Sequence, residues 1–322
     1  MQAPAWKVWT ALGTVYIVWG STYLFIRLMV RTIPPLLGAG VRFVVAGALV
    51  CAFVAARRGF GALRFTRQQF VSAALIGVLM PAGGNGIVTL AEKQVPSGMA
   101  ALLIASVPLW VAIYRIVDGQ RVRGGTVAGL VLGFSGVALL LLPGGRPSGA
   151  HLAGILLVLV AAASWASGAF LSPRVPLPDD PFANTGVEML IGGVVLCVAG
   201  LAAGEAPDFV VSNFSAESIG GLLYLVFVGS IPAYYAFVWV LGHAPVSKVA
   251  TYAYVNPVIA VFLGWAILDE QITLTIVAGA LLIVASVATV VRREAAATPA
   301  RTDRQSWRRA SPSGEAARTS GG

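Results

Sequence analysis

Two stretches decide the fold when laid one above the other: WGSTYLFIRLMVRTIPPLLGAGVRFVVAGALVC, residues 19–51, and WASGAFLSPRVPLPDDPFANTGVEMLIGGVVLC, residues 165–197. At a constant offset of 146 residues Trp19 meets Trp165, Ser21 meets Ser167, Pro35 meets Pro181, Gly40 meets Gly186, Gly47 meets Gly193 and Cys51 meets Cys197. Such identities exceed what two merely apolar segments share. With small changes of offset the correspondence runs on. Pro96 and Pro108 share their spacing with Pro245 and Pro257, and Val127-Ala128-Gly129 recurs as Val277-Ala278-Gly279. The chain is therefore a duplication, with one repeat over 1–145, a second over 146–291 and a remainder over 292–322.

Each repeat is built from long apolar runs. Hydrophobic residues make up 57% of the 322 and charged ones 11%, far from the roughly 45–50% and 25% of a soluble domain. Charges, Pro and Gly break the sequence into runs at about 8–26, 36–56, 70–90, 98–117 and 126–142, then 151–171, 182–203, 219–240, 249–268 and 272–291. Each is long enough for one bilayer crossing, which takes about 20 residues. The expectation is an all-α polytopic membrane protein of ten transmembrane helices. Because five is odd, the second repeat enters the membrane from the opposite side, the inverted-repeat plan of secondary transporters. That plan places a solute site near mid-membrane, between the halves, open alternately to either face.

The net charge of +9 would in a soluble chain point to nucleic acid, but here it follows the positive-inside rule. With the N-terminus inside, Lys7, Arg57, Arg58, Arg64, Arg67, Arg115, Arg121, Arg123, Arg174, Lys248 and every arginine after Val291 fall on the cytoplasmic side. Arg27, Arg31, Lys93 and Arg146 fall outside, and Arg42 within a run. Both termini are expected in the cytoplasm and the protein in the cytoplasmic (inner) membrane. Residues 292–322, rich in Arg, Ala, Ser, Pro and Gly, read as a disordered basic tail, with anionic lipids as its expected partner.

The motifs also carry a resemblance. Trp19-Gly20-Ser21-Thr22-Tyr23, Pro34-Pro35, Gly40-Val41-Arg42-Phe43 and Ala46-Gly47 resemble the opening of EamA-type members of the drug/metabolite transporter superfamily. Further matches are Gly84-Asn85-Gly86, Ala91-Glu92 with Pro96-Ser97-Gly98, Tyr252-Ala253-Tyr254-Val255-Asn256-Pro257 and Glu270. The resemblance implies ten helices, a central cavity and export of small metabolites or drugs. It departs from the family's pattern where Gly119 stands at the first-repeat place of Glu270.

Among charged residues, Arg42 and Glu188 occupy matching places within apolar runs and are the candidates for transport or gating. Inversion sets them at opposite depths, about 12 Å apart along a ~30 Å hydrocarbon slab, so no direct salt bridge is expected. Glu188 is the candidate for proton exchange, and Arg42 has a stem that can snorkel outward. The candidate cavity lining is Trp19, Ser21, Tyr23, Asn85, Thr89, Ser106, Trp165, Ser167, Tyr234, Trp239, Tyr252 and Asn256. Aromatic walls with a few polar groups suit amphipathic small-molecule substrates. Each also has a plainer use, as interface belt or helix-packing glue. Tyr252 and Asn256 share a face one turn apart. Pro81 and Pro232 predict matched kinks. Gly129 and Gly133 predict close helix packing, and Cys51 and Cys197 are expected to stay unpaired.

An enzyme reading competes. Gly133-Phe134-Ser135-Gly136 and Ala150-His151-Leu152-Ala153-Gly154 resemble the serine and histidine motifs of rhomboid intramembrane proteases. A nucleophile and its base must meet, yet Ser135 lies well inside one run and His151 begins the next, roughly 10 Å apart in depth. The chain is therefore expected not to be an enzyme. No cofactor fingerprint, phosphate loop or metal-ligand cluster appears, so no cofactor or metal is expected and a single-chain ATP-driven pump is disfavoured. A secondary transporter, working as an exporter and with proton coupling open to it, is the leading reading. A passive facilitator or a lipid-carrier translocator of the same fold remains open.

Overall fold

A computed structural model describes residues 4–120, 124–142, 150–244, 246–249 and 251–297. Long apolar runs become helices because a bilayer offers no other partner for backbone N–H and C=O groups. In chain order they are α1 (Ala5–Met29), α2 (Pro35–Arg58), α3 (Arg67–Ala91), α4 (Ser97–Val117) and α5 (Gly124–Leu141). The second set is α6 (Leu152–Arg174), α7 (Pro181–Ala202), α8 (Ala216–Leu241), α9 (Tyr252–Leu268) and α10 (Leu274–Ala297). Among the described residues nine are long and apolar enough to cross a membrane, and α9 is a shorter apolar helix. Among the described residues there is no strand. Ten helices in two repeats is the architecture the runs predict. An even number of crossings returns the chain to the face on which it began, here called the terminal face; the other is the far face.

Local chemistry sets the helix ends. Pro35 and Pro181 open α2 and α7, where a missing N–H costs nothing and the fixed φ helps. Asp180 caps α7 by accepting from Phe182 N and Ala183 N, and Thr66 with Gln69 forms a capping box on α3. The helix α10 continues to Ala297, past residue 292, where the tail was expected to start. The sequence there is Arg292-Arg293-Glu294-Ala295-Ala296-Ala297, a run of strong helix formers with no glycine or proline to stop it. Residues 298–322, the rest of the expected lipid-binding tail, lie outside the described residues, as do Arg121, Arg123, Arg146 and Pro245.

The inversion is visible in the packing. A Cβ built on Gly40 would strike Cys197, and one on Gly186 would strike Cys51; one on Gly47 meets Gly186 and Leu190, and one on Gly193 meets Gly40 and Val44. These contacts are reciprocal under the 146-residue offset. They also run in opposite senses along α2 and α7, so the pair crosses antiparallel about a local two-fold axis. The helices α5 and α10 repeat the device: Gly129 O accepts from Ser286 Oγ at 2.5 Å, while Gly136 and Gly279 face each other's carbonyls. Small residues at both crossings let backbones approach where lipid gives no hydrophobic drive. Cys51 and Cys197 are free thiols.

Both expected kinks are wide turns with i→i+5 character, at Val78–Gly86 within α3 and Leu225–Ser230 within α8. Pro81 lies in the first and Pro232 just after the second. A proline removes one ladder bond, and each helix re-forms its bonds with a wider ring. The displaced groups find partners: Ser230 Oγ donates to Leu225 O at 2.8 Å, and Ser164 Oγ reaches across to Leu79 O at 2.8 Å.

The outward surface is apolar. Phe53, Val131, Val160, Val198, Leu223, Phe262 and Trp265 are all exposed, a band that only a lipid environment would tolerate.

Candidate functional site

A cavity lies at mid-bundle, between the two repeats. The halves contribute to it together: Trp19, Thr22, Tyr23, Arg42, Asn85 and Pro108 from the first repeat, Trp165, Met189, Ser230, Tyr234, Tyr252 and Asn256 from the second. The wide turns of α3 and α8 create the space. They supply Gly84 and Asn85 on one side and Gly229 and Ser230 on the other.

At its terminal-face end the cavity is floored by rings. The Trp19 ring meets those of Tyr234, Phe237 and Tyr252 with centroids 5.9, 4.9 and 5.4 Å away. Edge and tilted contacts of this kind add to simple burial. Just beyond, Tyr16 and Thr251 share a hydroxyl hydrogen bond that ties α1 to the start of α9. Trp165 packs on Gly84, which has no room for a side chain.

Arg42 is the charged side chain among the cavity's described lining residues. It is 4% exposed, held by Nε donating to Ser230 Oγ at 3.1 Å and by its guanidinium lying 4.7 Å from the Phe43 ring centroid. One terminal nitrogen, Nη1, has no hydrogen-bond partner, and neither does Oδ1 of Asn256 across the cavity. A buried guanidinium with no carboxylate bonded to it is costly, and its unpartnered Nη1 is a charged donor that a carboxylate can accept.

Of the residues expected in the lining, Trp19, Tyr23, Asn85, Trp165, Tyr234, Tyr252 and Asn256 are there. The others have different partners. Ser21 Oγ pairs with the Tyr224 hydroxyl at 2.7 Å; Thr89 donates to Asn85 O and Ser106 to Leu103 O within their own helices. Ser167 lies between Ala163 O and the Tyr114 hydroxyl, and Trp239 stacks on His243. Glu188 is buried outside the cavity, where Asn184 Nδ2 donates to its Oε1 at 2.7 Å. No ion pair joins Glu188 to Arg42. Ser135 is exposed on α5 and bonds back to Val131 O, while His151 sits exposed before α6; neither borders the cavity. Among the described residues no group of three or more His, Cys, Asp or Glu is placed to hold a metal.

Three acidic residues do more than their sequence places announce. Glu270, in the turn after α9, accepts from Ser97 N at 2.6 Å and Gly98 N at 3.0 Å, so it caps α4 from the other repeat. Glu205 does the same for α2, through Leu36 N and Leu37 N. Each carboxylate satisfies orphan donors at a positive helix end. Glu92, in the turn after α3, is fully buried with neither oxygen hydrogen-bonded, and Arg27 donates to its backbone carbonyl. Beyond it a polar vestibule opens on the far face, lined by Arg27, Arg31, Lys93, Asp269, Glu270 and Gln271. The quoted motif Ala91-Glu92 was the available signal for Glu92.

The duplicated cavity has a counterpart among known proteins. The sequence profile described as "EamA-like transporter family" matches twice, over residues 6–142 and 152–292. The chain belongs to the EamA-like transporter family. Its EamA relatives include YedA of Escherichia coli strain K12, described as an uncharacterized inner membrane transporter, 40% identical over 82% of this chain and 83% of YedA. YvbV of Bacillus subtilis strain 168, described as an uncharacterized transporter, is 28% identical over 90% of this chain and 93% of its own. A solved crystal structure covers 88% of the chain at TM-score 0.58 and 21% identity; it shares the fold. As an EamA protein with multiple apolar helices, the chain transports a small solute across a membrane.

Proposed function

We propose that this protein is a secondary transporter that exports an amphipathic small molecule bearing a carboxylate, by alternating access of the central cavity. The observation that carries the reading is Arg42, a buried guanidinium with its Nη1 unpartnered, in a largely aromatic and apolar chamber between inverted repeats. The solute's carboxylate takes the place of the missing counter-ion, and its apolar body lies against Trp19, Trp165 and the tyrosines. Asn256 Oδ1, an acceptor without a donor, orients a hydroxyl or N–H on the same molecule. The terminal face is cytoplasmic in this reading, supported by the basic residues that the positive-inside rule gathers there. The far face is then external. The membrane potential, negative inside, pushes an anion outward with about 2.3 kcal/mol per charge per 100 mV. Proton coupling, the other drive open to such a fold, requires a carboxyl that titrates within the cycle.

Proteoliposomes separate these possibilities. Aromatic and branched carboxylates, with their methyl esters and amine analogues, are loaded and their efflux followed under an imposed potential or an imposed pH gradient. The expected result is transport of a carboxylate but not of its ester, driven by the potential. Arg42→Gln should abolish it and Arg42→Lys should weaken it, since an ammonium keeps the charge without the planar fork. Equal transport of ester and acid would overturn the carboxylate reading.

A further inference from the structure

A second unanswered charge stands close to the first. Glu92, in the turn after α3, adjoins Arg27 and Lys93 of the far-face vestibule. It is 0% exposed and both its oxygens lack hydrogen bonds. Arg42, on the neighbouring α2, is with Arg27 one of the two cations that act on it, and its Nη1 has no hydrogen-bond partner. Two groups of opposite intrinsic charge on neighbouring helices, each with polar atoms left open and not bonded to each other, are an arrangement that one conformation leaves incomplete.

We propose that Glu92 is the internal counter-ion of Arg42: it is neutral while the far face is closed, and when that face opens it ionises and takes the guanidinium from the solute's carboxylate. The solute is thereby released to the far side. This inference rests on the reading of Arg42 as the solute's anchor. The proton passes from the Glu92 carboxyl to water entering through the vestibule, and it returns from water on that same side when the face closes. No proton crosses the membrane in this step, so pH on the far side sets the pace of release without driving transport.

The surroundings of Glu92 give the sign. From α1 it is faced by Arg27 and Tyr23, from α2 by Arg42, and from the turn after α9 by Glu270. Tyr252 of α9 stands behind Tyr23, Lys93 adjoins in sequence, and His151 before α6 meets this turn through its backbone N–H to Gln94 O. Burial holds the Glu92 carboxyl well above the ordinary carboxylate range and Glu270 adds to that, while Arg27 and Arg42 oppose it. A raised carboxyl in the closed form means that closure is favoured at low pH and lost as pH rises through the raised value. Arg27, already bound to the Glu92 backbone carbonyl, keeps the turn in place while the side chain changes partner.

The experiment reads the far face without any solute. In a background with Cys51→Ala and Cys197→Ala, a cysteine is placed on α4 in the cavity by Ala101→Cys, and the protein is labelled from the far side in vesicles with a membrane-impermeant maleimide between pH 5 and 9, with rates corrected for the maleimide's own pH dependence. The corrected rate should rise on the order of tenfold with pH. Glu92→Gln should hold it low throughout, because the amide copies the neutral form; Glu92→Asp should restore the rise. Asp208→Asn, an exposed carboxylate in the loop after α7, should keep the parent's profile. Arg42→Gln removes the partner of the ionised form and should move the midpoint upward by about one pH unit, a tenfold change in the equilibrium. That variant decides the matter should Glu92→Gln fail to reach the membrane. An unchanged profile in Glu92→Gln, or an unmoved midpoint in Arg42→Gln, overturns the proposal. Failure of the solute assay with an intact labelling pattern would instead count against the carboxylate substrate.

Discussion

Glu270 shows how one side chain can join the two halves. Its oxygens receive Ser97 N and Gly98 N, so a carboxylate from the second repeat ends the orphan donors of a helix in the first. Replacing a cap by alanine costs about 1 kcal/mol, and the lost charge at a positive helix end adds to that. Glu270→Ala should therefore lower the melting temperature in detergent by several degrees, and Glu270→Gln, which keeps one acceptor, by less. Equal stability of wild type and the alanine variant would remove the cap from the account. The sequence shows Glu270 only as a family position that Gly119 does not share, because a cap contributed from 173 residues away leaves no local signature. Glu92 escaped for a related reason. It stands at the edge of an apolar run, where a charge reads as solvated, and its burial depends on how α1, α2 and the α9 turn close over it. Arg42 stands out in the sequence as an arginine two turns into a helix of alanine, valine and glycine, yet its stem could snorkel outward, and nothing local to it shows that the fold buries it against Ser230.

At the scale of elements the helices were almost fully readable. Lipid forces every spanning segment into the same structure, so an apolar run of sufficient length is already a helix. Their pairing was readable too, through glycine. Gly47 would place a Cβ 2.7 Å from Gly186 O and 2.8 Å from Leu190 N, backbone atoms that cannot turn aside. Gly47→Val should force α2 from α7 and cost about 1–3 kcal/mol or more, seen as poor recovery of monodisperse protein. Gly13→Ala on α1, where a Cβ meets nothing within 4 Å, should leave recovery unchanged. What periodicity could not give was the character of the kinks. A proline predicts a break, but the wide turns at Val78–Gly86 and Leu225–Ser230 arise from how each helix repairs its ladder. Those repairs open the cavity, so the site's residues were easier to list than to sort. Ser21, Thr89 and Ser106 have the chemistry of a lining and are spent on hydroxyl bonds beside it.

For the whole molecule the duplication has a mechanical consequence. Two inverted copies can exchange conformations, so whatever closes one face in the first arrangement opens there in the second. Here the far-face contact is tight: a Cβ on Gly98 of α4 would lie 3.0 Å from Val261 Cα of α9, beside the Glu270 cap. The exchange requires this contact to part. Gly98→Cys with Val261→Cys sets two thiols across this contact: with the Gly98 Cβ 3.0 Å from Val261 Cα, the Cα atoms are at most about 4.5 Å apart, the short end of the range that a disulfide spans. In the background without Cys51 and Cys197, oxidation should stop solute efflux and a reductant should restore it, while the same treatment of either single variant should change nothing. The far-side maleimide labelling of a cavity cysteine cannot be read in this variant, so the lock is followed by efflux and by mobility on a non-reducing gel. Efflux at the reduced rate from fully cross-linked protein would mean that α4 and α9 stay together throughout the cycle, and that solute leaves by another seam of the bundle.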